Sequence, residues 1–182
     1  MFPLFHIAFP LLIFEIPRLK KNYRINRLAL IIGSMIPDII DKAILFSGLG
    51  SGRYFFHSLL FVFLSFFILF LITKGNKEIS FPFLIGMLFH LLLDWPGIPL
   101  FYPFIEYEFV VTDDAIPLWI NTLLTDPIVQ ATEIIGAAFL IFIIVNNRLY
   151  KSEDFVKYLK TSPLFPPLLK IEAKQEIQIV ED

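Results

Sequence analysis

The chain has 182 residues, enough for one domain, with 57% hydrophobic and 16% aromatic residues, a formal net charge of −2 and no cysteine. Soluble domains are usually about 45–50% apolar, so this composition favours an integral membrane protein. The charge balance predicts no nucleic-acid partner. Disulfides and thiolate metal sites are excluded, and any metal must be bound by His, Asp or Glu.

Apolar segments alternate with short polar loops along the chain. The first is short and broken by prolines, and a basic stretch follows it instead of preceding it, so we expect it to be retained and not cleaved as a signal. The third has about the 20 residues that a bilayer core requires. The fourth ends at Trp95-Pro96-Gly97, where a helix must break. The apolar segments cover residues 2–16, 28–46, 54–73, 81–94 and 128–145.

Basic residues indicate the orientation of these segments. They cluster in residues 18–27, at Lys74 and Lys77, and at Arg148 and Lys151. These regions share one side if the main spans alternate, and that side should be cytoplasmic. We therefore predict an all-α, multi-pass bundle of four to five transmembrane helices in the cell membrane, formed by residues 1–147. Residues 148–182 are predicted to be a short soluble cytoplasmic tail.

The same topology gathers the unusual polar residues at one membrane depth. Ionisable groups inside apolar segments are costly, so a chain that keeps several of them at one level is expected to use them. Glu133 would join them or reach toward the interface, Asp126 should cap a helix, and Glu15 should meet the basic loop. The residues predicted to converge near the outer side are His6, Asp38, Asp41, His57, His90 and Asp94.

Two pairs have the spacing of neighbours on one helix face. His90 and Asp94 are four apart and can offer an imidazole and a carboxylate to one metal ion. Gly86, one turn earlier, would let another helix approach. Asp38 and Asp41 cannot both ionise cheaply in an apolar setting unless a divalent cation lies beside them.

Each pair also has a purely structural explanation. His90 could bond a neighbouring helix while Asp94 caps the turn at residues 95–97, and Asp38 could pair with Lys42. Arg53, four residues before His57, offers a planar fork suited to phosphate, or it could anchor the segment at the interface.

Four motifs follow one another along the chain, namely His6, Pro37-Asp38-x-x-Asp41, Arg53 to His57-Ser58, and Gly86-x-x-x-His90-x-x-x-Asp94. Over residues 4–104 this order resembles the YdjM-like family, described as membrane-bound metal-dependent hydrolases and distantly similar to zinc-dependent phospholipase C. The resemblance implies a zinc site formed by the six His and Asp residues above, with Arg53 as a phosphate contact. The family's His-Arg-Gly-x-Thr-His-Ser pattern is altered here at Gly52, Tyr54 and Phe56, which removes one potential ligand.

These observations lead to a functional hypothesis with two rivals. The metal would activate water to cleave a phosphoester, with membrane lipids as partners and a phospholipid as one possible substrate. Asp41 would be a further ligand or the general base, and Arg53 would stabilise developing charge. The rivals are a metal-free enzyme resembling phosphatidic-acid phosphatases, whose Pro-Ser-Gly-His signature is absent, and a non-enzymatic protein whose polar cluster conducts ions or protons or locks the bundle.

Overall fold

The computed structural model describes residues 3–23, 25–47, 53–107 and 115–160, and the regular secondary structure in these ranges is helical throughout. The all-α prediction is therefore confirmed. The helices are α1 (Pro3–Ile13), α2 (Pro17–Asn22), α3 (Arg27–Phe46), α4 (Arg53–Phe56), α5 (Leu59–Ile72), α6 (Lys77–Asp94), α7 (Ala115–Thr125), α8 (Pro127–Asn146) and α9 (Ser152–Leu159).

Side-chain caps determine where several helices begin. The Asn26 side chain accepts from Ala29 N at the start of α3, and Asn76 accepts from Glu78 N at the start of α6. A capped helix start satisfies backbone N–H groups that otherwise lack partners. The cap at Asn76 explains why α6 begins four residues before the predicted 81. Asp126 accepts from two N–H groups of α8, which confirms the prediction for that residue.

The segment 54–73, predicted as one continuous span, is broken. α4 ends at Phe56 and α5 begins at Leu59, so the second helix has only 14 residues. Ser58 causes the break, because its Oγ accepts from Phe61 N at 3.2 Å and donates to Phe55 O at 2.7 Å. A serine that bonds nearby backbone groups competes with helical hydrogen bonding. The prediction of one helix was wrong here, and the break places His57 in a junction.

Helices α3 and α6 run parallel with their backbones in contact. A Cβ on Gly33 would lie 2.1 Å from Phe83 O, and a Cβ on Gly86 would lie 2.2 Å from Leu30 O. Neither distance is physically possible, so only glycine permits this approach. The expectation that Gly86 admits a neighbouring helix is confirmed.

Helices α1 and α8 are joined by a second close contact. A Cβ on Gly136 would lie 2.6 Å from Phe5 N. The Glu133 carboxylate accepts hydrogen bonds from Leu4 N and Phe5 N at 3.2 and 3.3 Å. Glu133 thus caps the start of α1, where unpaired N–H groups attract negative charge. Glu133 is not one of the residues in the central polar group, and its predicted reach toward the interface stays a prediction.

Among the described residues, α8 is the helix that is long and apolar enough to cross a membrane. Only 11% of its apolar window is buried inside the protein, which distinguishes it from the core helix of a soluble domain. The apolar helices α1 and α5 are shorter. At 1.5 Å per residue, α3 and α6 span about 30 and 27 Å, close to a bilayer core, but both carry charged residues. The bundle of four to five spans stays a prediction.

Candidate metal centre

Four side chains from three parts of the chain form a compact group of potential metal ligands. Asp38 comes from α3, His57 from the junction between α4 and α5, and His90 and Asp94 from the last turns of α6. One ligand atom from each can be chosen so that all four lie within 4.8 Å of one another. The contact between parallel α3 and α6 brings the first and last of these elements together.

The geometry around His90 determines which of its nitrogens faces the group. Its Nδ1 lies 2.8 Å from Ser34 O. A carbonyl oxygen only accepts, so Nδ1 carries the proton and Nε2 keeps its lone pair. Nε2 lies 3.6 Å from Asp94 Oδ2, is buried and makes no hydrogen bond within the described part of the chain. Metal-binding histidines are commonly oriented in this way.

His57 approaches both carboxylates with the same atom. Its Nε2 lies 3.4 Å from Asp38 Oδ1 and 3.9 Å from Asp94 Oδ2. One imidazole nitrogen thus lies near both carboxylates, and one ion could lie between the three atoms. The break before α5 makes this possible, because His57 precedes the Ser58 cap and does not belong to either helix.

His6 reaches the group from α1, as predicted. Its Nε2 lies 3.3 Å from Asp94 Oδ1, and its ring centroid lies 4.5 Å from that of His90. Asp94 therefore has His6 beside one oxygen, while His57 and His90 lie beside the other. The hydrogen bond from Gly97 N in the following turn goes to the backbone carbonyl of Asp94 at 2.9 Å.

The remaining predicted residues differ in how far the structure describes them. Asp38 is paired with Lys42 at 3.0 Å, so its structural explanation and its place in the group both hold. Asp41 is buried one turn further along α3 and is not one of the four. Arg53 begins α4, but its side chain, like Gly52, lies outside the described residues. The roles of Asp41 and Arg53 stay predictions.

The donor set fits a divalent cation. Imidazole nitrogens and carboxylate oxygens are ligands that zinc accepts, although the same set also suits other divalent metals. Buried polar atoms almost always have a partner. His90 Nε2 has no hydrogen bond among the described residues, and an ion within the four-residue group would be the partner of its lone pair.

A second buried polar cluster, the Glu15 clasp, ties the opposite end of the bundle. It comprises Glu15, Lys20, Arg27, Asn147 and Tyr158. Glu15 Oε1 accepts from Tyr158 Oη at 2.9 Å and Arg27 at 3.3 Å, and Oε2 accepts from Lys20 at 2.5 Å and Asn147 at 3.0 Å. Burial alone would raise the pKa of the Glu15 carboxyl, but these hydrogen bonds outweigh it and hold the pKa below its usual range.

The clasp confirms that Glu15 meets the basic loop and adds a contact that the sequence reasoning missed. Tyr158 of α9 is buried, and its ring stacks under the Arg27 guanidinium at 4.2 Å. The first part of the predicted soluble tail is thus packed against the helices. Residues 151–160 are strongly charged, and their sequence pattern does not indicate that Tyr158 is buried.

The fold and the buried polar group define a helical protein with a membrane-type helix and a His/Asp cluster suited to a cation. Comparison with known families agrees with this class. The family model of the YdjM inner membrane protein matches residues 1–153, and the chain belongs to that family. Its membrane localisation follows from this membership. The chain matches no curated protein and no solved structure.

Proposed function

We propose that this protein is an integral membrane metal-dependent hydrolase that cleaves a phosphoester. The observation that carries the proposal is the four-residue group, in which Asp38, His57, His90 and Asp94 present ligand atoms within 4.8 Å of one another. Such a site costs free energy unless an ion offsets the burial of two carboxylates. Zinc is the expected ion.

The four residues would hold the metal, and the metal would supply a nucleophilic water and polarise a phosphoryl oxygen. His6, on the far oxygen of Asp94, would bind the ion as a further ligand or orient that carboxylate. Asp41 would act as a further ligand or as the base that accepts the water proton. Arg53 would stabilise the developing phosphate charge.

The loop after α6 supports a membrane lipid as substrate. The loop begins directly after Asp94. Leu59, two residues after His57, donates its backbone N–H to Leu100 O in this loop at 2.9 Å and so holds the loop beside the centre. Its outer side chains are aromatic and exposed, with Trp95 at 64% and Phe104 at 82%. Exposed aromatic residues of this kind favour the membrane–water interface, where a phospholipid head group would lie beside the centre.

Metal analysis of the purified protein tests the proposal. The His90→Ala variant should lose at least about 90% of the bound metal, since it removes a ligand whose orientation is fixed by Ser34. Asp126→Asn is the matched control, because it removes a carboxylate that is not one of the four residues and keeps a good helix cap. Wild-type protein without stoichiometric metal, or a folded His90→Ala variant with full metal, would contradict the proposal.

A non-enzymatic role is the second candidate. Its support is that two contacts, His90 to Ser34 and Lys42 to Asp38, already tie the cluster together without an ion. In that case Asp38→Asn and His90→Ala would lower the melting temperature equally with and without added zinc. A phosphohistidine trapped on His57 or His90 would instead favour the metal-free phosphatase.

A further inference from the structure

Lys42 lies at the solvent-facing side of the candidate metal centre. Its Nζ is 3.0 Å from Asp38 Oδ1, the same oxygen that lies 3.4 Å from His57 Nε2. The side chains of His6 and His90 are fully buried and that of Asp94 is 4% exposed, whereas Asp38 is 13% and Lys42 26% exposed. The centre therefore opens to its surroundings past Asp38, and the ammonium group of Lys42 is at that opening.

A metal ion would change what Lys42 attracts. Without one, the ammonium group neutralises Asp38. A divalent cation in the group offsets both carboxylates, so the attraction between Lys42 and Asp38 weakens. Lys42 has a flexible stem and three donors, which allows it to turn from the carboxylate to another acceptor. The acceptor that fits this position is an anion bound to the metal from the open side.

We propose that Lys42 forms an anion subsite beside the metal and binds the phosphate group of the substrate. The proposal rests on the proposed function and identifies a residue that holds the phosphate, a role that the sequence pattern gave to Arg53. Lys42 acts as a cation paired with Asp38 when the centre holds no metal and as a phosphate ligand when it does. Free phosphate and a lipid head group offer the same chemistry.

The experiment uses full-length protein in neutral detergent, with Co²⁺ as the metal because its visible absorption reports ligand changes. Inorganic phosphate and short-chain phosphatidic acid are titrated separately. Lys42→Met should bind Co²⁺ as tightly as wild type or several-fold more tightly, since a competing cation is gone. It should bind both anions about 10-fold or more weakly, because a charge-assisted hydrogen bond is lost.

Two further variants make the result specific. Lys42→Arg keeps the charge and should bind phosphate within about 3-fold of wild type. Lys77→Met is the matched control, since Lys77 is exposed at the start of α6, roughly 25 Å along the helix from Asp94, and should change nothing. If phosphatidic acid binds more tightly than phosphate in wild type and loses that advantage in Lys42→Met, the head group of a lipid is the ligand.

Unchanged anion binding by Lys42→Met would overturn the proposal. So would a parallel loss of Co²⁺ binding, because Lys42 would then serve only to hold Asp38 in position. Wild-type protein that binds no Co²⁺ removes both this proposal and the proposed function. Protein that binds Co²⁺ and phosphate through Lys42 but hydrolyses no phosphoester contradicts the proposed function alone.

Discussion

At the residue scale, the candidate centre depends on small groups that hold its ligands in place. His90 is oriented by a backbone carbonyl, that of Ser34, which no sequence motif specifies. His57 is positioned by Ser58, whose fully buried hydroxyl both ends α4 and begins α5. Groups that orient a metal ligand affect affinity nearly as much as the ligand does.

Removing the Ser58 hydroxyl should therefore affect both stability and metal binding. We expect Ser58→Ala to lower the free energy of unfolding by about 1 kcal/mol through loss of the cap, and to weaken Co²⁺ binding about 10-fold as His57 shifts. Ser58→Thr keeps a hydroxyl and should retain most of the stability and most of the Co²⁺ affinity of the wild type. Ser47→Ala, at the exposed end of α3, is the control. Thermal melts and Co²⁺ titration measure the two effects, and a stability loss with unchanged affinity would contradict the positioning role.

At the scale of elements, the parallel contact of α3 and α6 sets the depth of the centre. Ser34 lies beside His90 and Asp38 near Asp94 because the two backbones touch at Gly33 and Gly86. A change of about 1 Å between these helices would break the Ser34 bond and separate the carboxylates.

Gly86→Ala tests this dependence. The added methyl group would lie 2.2 Å from Leu30 O, which forces the helices apart. Overpacking of this kind costs about 1–3 kcal/mol, and metal affinity should fall at least about 10-fold. Gly136→Ala is the comparison, because it overpacks α1 against α8 at a similar cost and leaves α3 and α6 in contact; it reaches the centre only through His6, so its loss of Co²⁺ affinity should be smaller. Equal losses of Co²⁺ affinity in the two variants would show that general destabilisation, and not this contact, controls binding.

Much of the site could be predicted from local spacing. Gly86, His90 and Asp94 lie four residues apart on one helix, and residues at this spacing share a helix face in any fold. The helix break at His57 could not, because the stretch on both sides is uniformly apolar and the cap is a single serine. The choice between Asp38 and Asp41 also needed the structure. The two side chains differ by about 60° around the helix, so the rotation of α3 against α6 decides which one joins the group.

At the scale of the whole molecule, two buried polar clusters lie at opposite ends of the helices. The candidate metal centre joins α1, α3 and α6 at one end, and the Glu15 clasp joins the α1–α2 turn, α3, α8 and α9 at the other. Buried charges that lose a partner are strongly destabilising, so each cluster fixes the relative position of the helices that it joins.

The clasp predicts a pH dependence of stability. Because the pKa of Glu15 is lower in the folded protein than in the unfolded chain, its stabilisation is complete above about pH 4.3 and is lost as the pH falls through the folded value. Glu15→Gln should lower the free energy of unfolding by roughly 3 kcal/mol at neutral pH, and the difference from wild type should shrink as the pH falls. Unfolding in mixed micelles measures this. Glu153 is exposed, and Glu153→Gln should show the same pH dependence of unfolding as the wild type. If the stability difference between Glu15→Gln and the wild type did not change with pH, the lowered pKa of Glu15 would be contradicted.

The order in which the clasp residues are synthesised has a consequence for biogenesis. Glu15 is made 132 residues before Asn147 and 143 before Tyr158. At about 5–20 residues per second, a ribosome makes Glu15 and Arg27 roughly 7–30 s before Tyr158, which is the last partner of both. A nascent chain interrupted before Tyr158 keeps the ion pair of Glu15 and Arg27 but lacks the hydroxyl that donates to Glu15 and the backbone carbonyl that accepts from Arg27. The clasp can therefore close only after α9 has been synthesised, and a fragment that ends before Tyr158 leaves this end of the bundle without its last contacts.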